Sequence, residues 1–495
     1  MTIEDGLGIN KIRLQVGSNS SLAIGSSGLE IYDDEAAPSG SGKFCVPWTS
    51  NLPKAQIIPF YNILWAELVK NHLIINFALP SNENVVPSLL KFSIDSDHHL
   101  VANWISVLLD CSYKGAQQKK RAKVLVNPHS GKGKARRWCS KYIAPLFRAA
   151  RCSIDSVETR YSGEGIAISK DLDVEAFDMV VVCSGDGLAF EVFNGLGKRP
   201  DARKALSKMA VAHIPCGSGN GLSQNLNATK NASMATLAVI KGIRKPLDLI
   251  SVTQGDTRVL SFLSQTTGTG AESDLATENL RWMGDVRFKL GFLTRILAKK
   301  VYPCEIAVKI DIDSKKSIMD HYTKEKLKHA SEDAQCQTFP EVRSTGEDQD
   351  YEGLPPLKYG TIHDKTPKDW TVIPSDNLGI LYCGNLAYMA ADAKFFPPAL
   401  HNDGLMDLVL IDGNIRRRTS FKAFDALRDD KFFEMPVVKY YKISAYRWTP
   451  KNQDSGYISV DGERIPFKPF QAEIHKGLGT VIMKNNQIPG AQPSL

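Results

Sequence analysis

The sequence predicts an α/β domain followed by a β-rich domain, with a small β-rich region ahead of both. Three observations carry that expectation. Between about Lys123 and Val252, β-branched runs ("KVLVN", "DMVVVC", "MAVAHIP", "LDLISV") alternate with helix-type segments at intervals suited to βαβ units. After Val252 strand-type runs dominate ("RVLSFLSQTT", "CEIAVKIDI", "NLGILYCG", "GLMDLVLI"), broken by one helical stretch from about Ser273 to Lys300. Within the α/β region, three strand-like runs each end in a glycine-rich turn.

The elements follow in chain order. Residues 1 to about 45 mix Gly, Ser and acidic residues, and "EAAPSGSGK" reads as a loop. From about Ile57 to Ile94 short apolar runs alternate with turn signals, as a small β-rich unit would. In "HHLVANWISVLLDCSY", Leu100, Val101, Trp104, Ile105 and Leu108 recur at spacings of three and four, which predicts a one-sided helix closing that unit. The expected divisions are residues 1–118, 119–250 and 251–495, with the C-terminal strand a candidate to return to the α/β domain. Between about 313 and 370 the polar stretch "SKKSIMDHYTKEKLKHASEDAQ…" has almost no aliphatic residues, which predicts a disordered insertion.

Composition excludes several classes of function. At 495 residues the chain exceeds one core, and 43 % apolar with 23 % charged residues is ordinary for a globular protein. No run approaches about 18 apolar residues, and "MTIEDGLGINKIRLQ" lacks a signal-peptide layout, so a cytoplasmic location is expected. The nine cysteines are scattered singly, without disulfide or zinc spacing. Two N-x-S/T matches, at Asn227 and Asn231, read as chance. A net charge of +7 without basic blocks interleaved with aromatics argues against nucleic acid and suits a phosphate-rich ligand or an anionic membrane surface.

The three turns are Asn127-Pro128-His129-Ser130-Gly131-Lys132-Gly133-Lys134, Ser184-Gly185-Asp186-Gly187 and Pro215-Cys216-Gly217-Ser218-Gly219-Asn220-Gly221. In a parallel sheet all three lie on the carboxyl edge, where glycine backbones and helix N-termini cradle phosphate. Neither GxxxxGK[ST] nor GxGxxG is present, so hydride transfer to a dinucleotide is not supported. Asp186 needs another explanation, since a carboxylate repels phosphate. It can bind Mg²⁺ or accept a proton from an attacking hydroxyl, the two services of phosphoryl transfer; the competing reading is a helix N-cap. Glu191, early in the next helix, can contact metal or orient a glycine loop. Further on, Asp274, Arg281 and Arg287 fall near one helical face, while Phe288, Phe292, Ile296 and Leu297 form an apolar stripe. "SVDGERIPF" sets Asp461 and Glu463 around Gly462 in a tight turn.

Taken in order, "VNPHSGKGKA", "SGDGLAFEVFNGL", "IPCGSGNGL", "DLATENLRWMGDVRF", "DGLMDLVLI" and "VDGERI" resemble the sphingosine (long-chain base) kinases among the diacylglycerol-kinase-like lipid kinases. The resemblance implies a three-layer, Rossmann-like α/β domain binding ATP and a β-sandwich domain holding the lipid. It implies that Asn127, Pro128, His129, Gly131, Gly133, Thr159, Ser184, Gly185, Gly187, Glu191, Gly217 and Ser218 face the nucleotide. Asp186 matches the family's general base and Asp274 the aspartate that recognises the lipid head. Arg281 and Arg287 match arginines facing phosphates, and Asp461, Gly462 and Glu463 a late Asp-Gly-Glu turn. Mg²⁺ is expected at Asp186 and Asp461. Ser184 opening the "SGDG" turn favours sphingosine kinases over diacylglycerol, ceramide or NAD kinases, and some relatives carry Arg where this chain has His129.

The implied substrate is a sphingoid long-chain base, with Ser184, Asp186, Asp274, Phe288 and Phe292 expected to meet it. Moving about 15 methylenes from membrane to water would cost roughly 12 kcal/mol, so a greasy pocket and a peripheral membrane location are expected. The Phe288–Leu297 stripe and "GNLAYMAADAKFFPPAL" are candidates for that pocket. The N-terminal unit loosely resembles a pleckstrin-homology module. Alternatives of the same fold are a diacylglycerol or ceramide kinase and a catalytically silent lipid-binding protein. Oligomeric state is not readable, a homodimer being the one assembly entertained.

Overall fold

The architecture comes from a computed structural model, which describes residues 2–4, 11–16, 20–33, 56–131, 133–275, 299–335, 352–390, 393–427 and 431–484. Four parallel strands form the α/β region: Ser153–Glu158, Arg121–Val126, Met179–Ser184 and Ala210–Pro215, in that spatial order. Met179–Ser184 and Ala210–Pro215 are buried along their whole length, as expected for central parallel strands covered on both faces. Helices Glu164–Lys170, Asp186–Gly197 and Gly221–Asn227 start at the carboxyl edge, so the connecting turns all lie there.

The β-rich part is joined to this sheet without a break. Strand Phe470–Met483 pairs parallel with Ala210–Pro215 at Val481 and Val211, then antiparallel with Ile243–Gln254 and Lys439–Pro450. From Lys439–Pro450 the sheet continues through Met406–Asp412, Leu378–Gly384 and Ser264–Gly268 to the hairpin Ile458–Val460 and Glu463–Ile465. A boundary near residue 250 was expected, yet Ile243–Gln254 is a single twelve-residue strand that runs across it. Val481 and Met483 are buried in the same core as Val180, Phe193 and Leu222.

The N-terminal unit has one sheet containing Lys11–Val16, Ser20–Ile24, Gly28–Asp33 and Gln56–Pro59, and a second made of Ile63–Val69, His72–Ser81 and Asn84–Ser93. Helix His98–Tyr113 closes it, capped by Asp97, whose side chain accepts from His99 N at 2.9 Å. Trp104 is fully buried on the inner face and donates to Ile12 O at 3.2 Å. The unit shares one apolar core with the first layer of the α/β region, including Phe147 and Val239. Asn231, one of the glycan matches, is the N-cap of helix Ala232–Lys241 and accepts from Ser233 N and Met234 N.

The segment expected to be disordered is largely structured. Residues Lys315–Gln335 form a helix anchored by the buried Ile318 and by His321, whose Nε2 lies 3.1 Å from Asp403 Oδ2. Residues 352–370 cross the sheet as a strap: Glu473 accepts from Lys358 N (2.9 Å) and Tyr359 N (3.0 Å), and Arg447 donates to Thr361 O and Asp364 O. The ordering comes from buried polar partners and from Tyr359 against Trp370, which hydropathy does not register. Residues 336–351 lie outside the described residues.

Candidate active site

The three glycine turns line one cavity of about 610 Å³ on the carboxyl edge of the parallel strands. Its lining includes Asn127, His129, Gly131, Thr159, Ser184, Gly185, Asp186, Gly187, Glu191, Gly217 and Ser218. Pro128 and Gly133 stand behind the first turn, where Gly133 N donates to Ser130 O at 3.0 Å. The cavity reaches Asp274, Asp461, Gly462 and Glu463 on the other side.

Glycine is required where the second and third turns touch. A Cβ on Gly217 would lie 2.4 Å from the backbone of Gly185, and one on Gly185 would lie 2.7 Å from Gly219 O. Gly131 has φ +58°, a left-handed conformation that side chains disfavour. Ser130 joins the first turn to the second, its Oγ accepting from Gly185 N at 3.1 Å and lying 3.2 Å from Ser184 Oγ. Asn220 closes the third turn on itself through Gly217 N and O.

Asp186 is the first residue of helix Asp186–Gly197, yet it caps a different helix. Its Oδ2 accepts from Gly221 N at 2.8 Å and its Oδ1 from Leu222 N at 2.9 Å, the first amides of Gly221–Asn227. The carboxylate is buried and fixed in one orientation, on the cavity wall. Behind it lies His213, fully buried, with Nε2 3.0 Å from Ser184 O and Nδ1 3.5 Å from Asp186 Oδ1. Since Nε2 meets a carbonyl it carries the proton, and Nδ1 faces the carboxylate without a hydrogen-bond partner. Burial holds this imidazole below its ordinary value, against the pull of Asp186.

Glu191 plays the same part for the loop after Ser153–Glu158. Its two oxygens accept from Gly163 N (2.9 Å) and Gly165 N (2.8 Å), which gives it the loop-orienting role of the two expected for it. Asp461 lines the cavity and is buried, accepting from Ser261 Oγ, Phe262 N, Leu263 N and Ser264 N at 2.7–3.0 Å. Its oxygens hold a turn, and burial pushes its carboxyl up to about 6 despite those donors. Among the described residues no group of three or more His, Cys, Asp or Glu is arranged to hold a metal ion. Glu463 does face the cavity, and a Cβ on Gly187 would lie 2.8 Å from its Oε1, so this carboxylate abuts the first turn of Asp186–Gly197.

Asp274 is the penultimate residue of helix Thr269–Leu275 and accepts from Ser459 Oγ at 3.0 Å. Arg281, Arg287, Phe288 and Phe292 lie outside the described residues. Among the described residues the apolar wall is formed by Tyr382, Met389, Ala390, Phe395, Phe424 and Leu427, of which Met389, Ala390 and Phe395 lie in the stretch "GNLAYMAADAKFFPPAL". A second cavity of about 50 Å³ shares Phe395, Phe424 and Leu427 and is lined further by Ile380, Ile411 and Phe432, which prolongs the apolar side. Ser130, Asn220, His213 and Tyr382 were missed by sequence reasoning. The first two stand inside the quoted turns, whereas nothing local marks the others.

A profile of the diacylglycerol kinase catalytic domain matches residues 121–252, and a domain of unknown function matches 12–114. The chain is 36 % identical to sphingoid long chain base kinase 5 of Saccharomyces cerevisiae, over 83 % of this chain and 67 % of that one. It is 32 % identical to sphingoid long chain base kinase 4 of Schizosaccharomyces pombe, over 86 % and 87 %. Human sphingosine kinase 1 is 27 % identical over 72 % and 88 %. A putative diacylglycerol kinase from Bacillus anthracis superposes with a TM-score of 0.51 over 75 % of this chain and 98 % of that one, at 18 % identity, which shows a common fold. The chain therefore belongs to the sphingosine (sphingoid long-chain base) kinases of the diacylglycerol-kinase-like family and is a lipid kinase.

Proposed function

We propose that the chain transfers the γ-phosphoryl group of ATP to the primary hydroxyl of a sphingoid long-chain base, with Asp186 as general base. The observation that carries this reading is a single cavity with glycine turns on one side, an aromatic wall on the other, and Asp186 and Asp274 between them. The hydroxyl oxygen attacks the γ-phosphorus, the bond from that phosphorus to the β,γ-bridging oxygen breaks, and the hydroxyl proton passes to Asp186. The amides of Gly221 and Leu222 keep the carboxylate aimed while it takes the proton. Asp274, oriented by Ser459, is the acidic group for the base's ammonium.

The backbone amides of the turns at Gly131, Gly185 and Gly217 hold the phosphates, aided by the N-terminus of Asp186–Gly197. Mg²⁺ on the phosphates would supply charge neutralisation, one or two carboxylates suffice for an ion so bound, and Asp186 with Asp461 or Glu463, all on the cavity wall, are the carboxylates proposed to hold it. Arg281 and Arg287 are the proposed further cations. The apolar wall from Met389 to Leu427 takes the hydrocarbon chain, within what we read as a β-sandwich lipid domain beside a Rossmann-like nucleotide domain.

Among the described residues no helix is long and apolar enough to cross a membrane. We propose peripheral contact with the membrane that holds the substrate, and a pleckstrin-homology-like role for the N-terminal unit. Purified chain incubated with labelled ATP and, in parallel, sphinganine, ceramide or diacylglycerol tests the reading. Label should appear on sphinganine. Label on ceramide or diacylglycerol alone, or on none, rejects it.

A further inference from the structure

The carboxyl edge of the sheet places its loops in a fixed row. Strand order puts residues 159–162 at one end, then the turns at 127–131, 184–187 and 217–219. Past the last turn stands the acceptor wall, since a Cβ on Gly221 would lie 2.8 Å from Met389 O. If the central turns hold phosphates and the wall holds lipid, the end at 159–162 is left for the nucleoside.

The loop at that end is tied down on both sides of Tyr161 and Ser162. Thr159 N donates to Val126 O at 2.9 Å, Arg160 N donates to the Glu164 carboxylate, and Gly163 N and Gly165 N donate to Glu191. Arg160 itself is occupied, with Nε donating to Glu164 Oε1 at 2.8 Å. Tyr161 is the exception. Its side chain lines the cavity while 60 % exposed, and among the described residues no ring stacks on it. A large aromatic held by a rigid backbone with its faces open is a stacking platform, since every nucleobase offers a flat π-face.

We infer that Tyr161 is the nucleobase platform of this kinase, stacking on the adenine of the bound nucleotide. The inference rests on the kinase reading above and adds the residue that receives the base. Because the side chain is exposed and belongs to neither of the adjoining apolar cores, its replacement should leave the fold intact.

The test is calorimetric binding of ADP and of inorganic tripolyphosphate, each with Mg²⁺, to the full chain and to Tyr161→Ala and Tyr161→Trp. Tyr161→Ala should weaken ADP roughly 5- to 30-fold, the usual size of one base–aromatic stack, and leave tripolyphosphate unchanged. Tyr161→Trp should restore ADP affinity. Unchanged ADP affinity in Tyr161→Ala overturns the inference, as does equal weakening of tripolyphosphate, which would mark a disturbed loop. Loss confined to binding of lipid vesicles would overturn it in favour of a membrane contact. A wild-type chain that binds no ADP rejects the kinase reading itself, and this inference with it.

Discussion

The two sides of the cleft are held by different forces. On the nucleotide side, carboxylates reach across to backbone amides of other elements: Asp186 to Gly221 and Leu222, Glu191 to Gly163 and Gly165, and Asp461 to the turn at 261–264. On the acceptor side, rings pack on rings: Tyr382 stacks on Phe395 at 4.6 Å, Phe395 meets Phe432 at 5.5 Å, and Phe433 meets Tyr440 at 4.8 Å. Hydrogen bonds are directional and fix atoms in place; apolar contacts reward area and tolerate changes of shape. The contrast matches the tasks proposed for each side, aligning reacting atoms and accommodating a long chain.

The largest test of the comparison is Asp186→Asn. It keeps one acceptor for the loop amides and removes the base, so kcat should fall by about 10² to 10⁴ while Mg·ADP binds within a few-fold of wild type by calorimetry. Normal kcat would leave Asp186 as a loop clamp alone. Next is Phe395→Ala. Truncating a buried ring should cost about 3 kcal/mol or more in urea unfolding and raise KM for the long-chain base more than KM for ATP; an equal rise in both would erase the distinction between the two sides.

A third test probes the seam where the two parts share strand Phe470–Met483. His475 Nε2 lies 3.2 Å from Arg258 Nη2 and 2.8 Å from Ser251 Oγ, an arrangement that needs a neutral ring. Burial and the nearby Arg258 and Arg203 push its pKa down to about 4. A histidine depressed in the folded state contributes stability that is present above its unfolded pKa near 6.5 and is lost as pH falls toward 4. Between those limits wild type should lose on the order of 2–3 kcal/mol more than His475→Gln in denaturant melts; parallel losses would show that the seam does not titrate there. The smallest effect belongs to Glu191→Gln. Replacing one of two charged acceptors should raise KM for ATP several-fold, about 1 kcal/mol, without changing KM for the lipid.

The same contrast explains what the sequence made legible. The nucleotide side is written in short motifs, because close backbone approach demands glycine at fixed places such as 185 and 217, and three such turns after three strands imply one edge. What Asp186 holds could not be read, since Gly221 lies 35 residues away and only the fold brings the two together. Likewise nothing in "VDGERI" shows that Asp461 accepts from four donors some 200 residues earlier in the chain. The acceptor wall draws Tyr382, Phe395, Phe424 and Leu427 from separate elements whose apolar pattern is indistinguishable from core. The strap at 352–370 was lost to the opposite error. Its backbone is ordered by the buried Glu473, Arg447 and Gln471 rather than by apolar residues of its own.

Strand Phe470–Met483 also bears on how the protein is made. Val481 and Met483 complete the core around Val180, Phe193 and Leu222, and the strand carries the sheet across from Ala210–Pro215 to Lys439–Pro450. A ribosome delivering this chain has therefore released the nucleotide turns some 250 residues before the strand that finishes their scaffold. During that interval the edge of Ala210–Pro215 is open to wrong partners. Nascent chains stopped before residue 470 should thus be clients of chaperones and proteases, and release of the last strand is the event that commits the kinase to its fold.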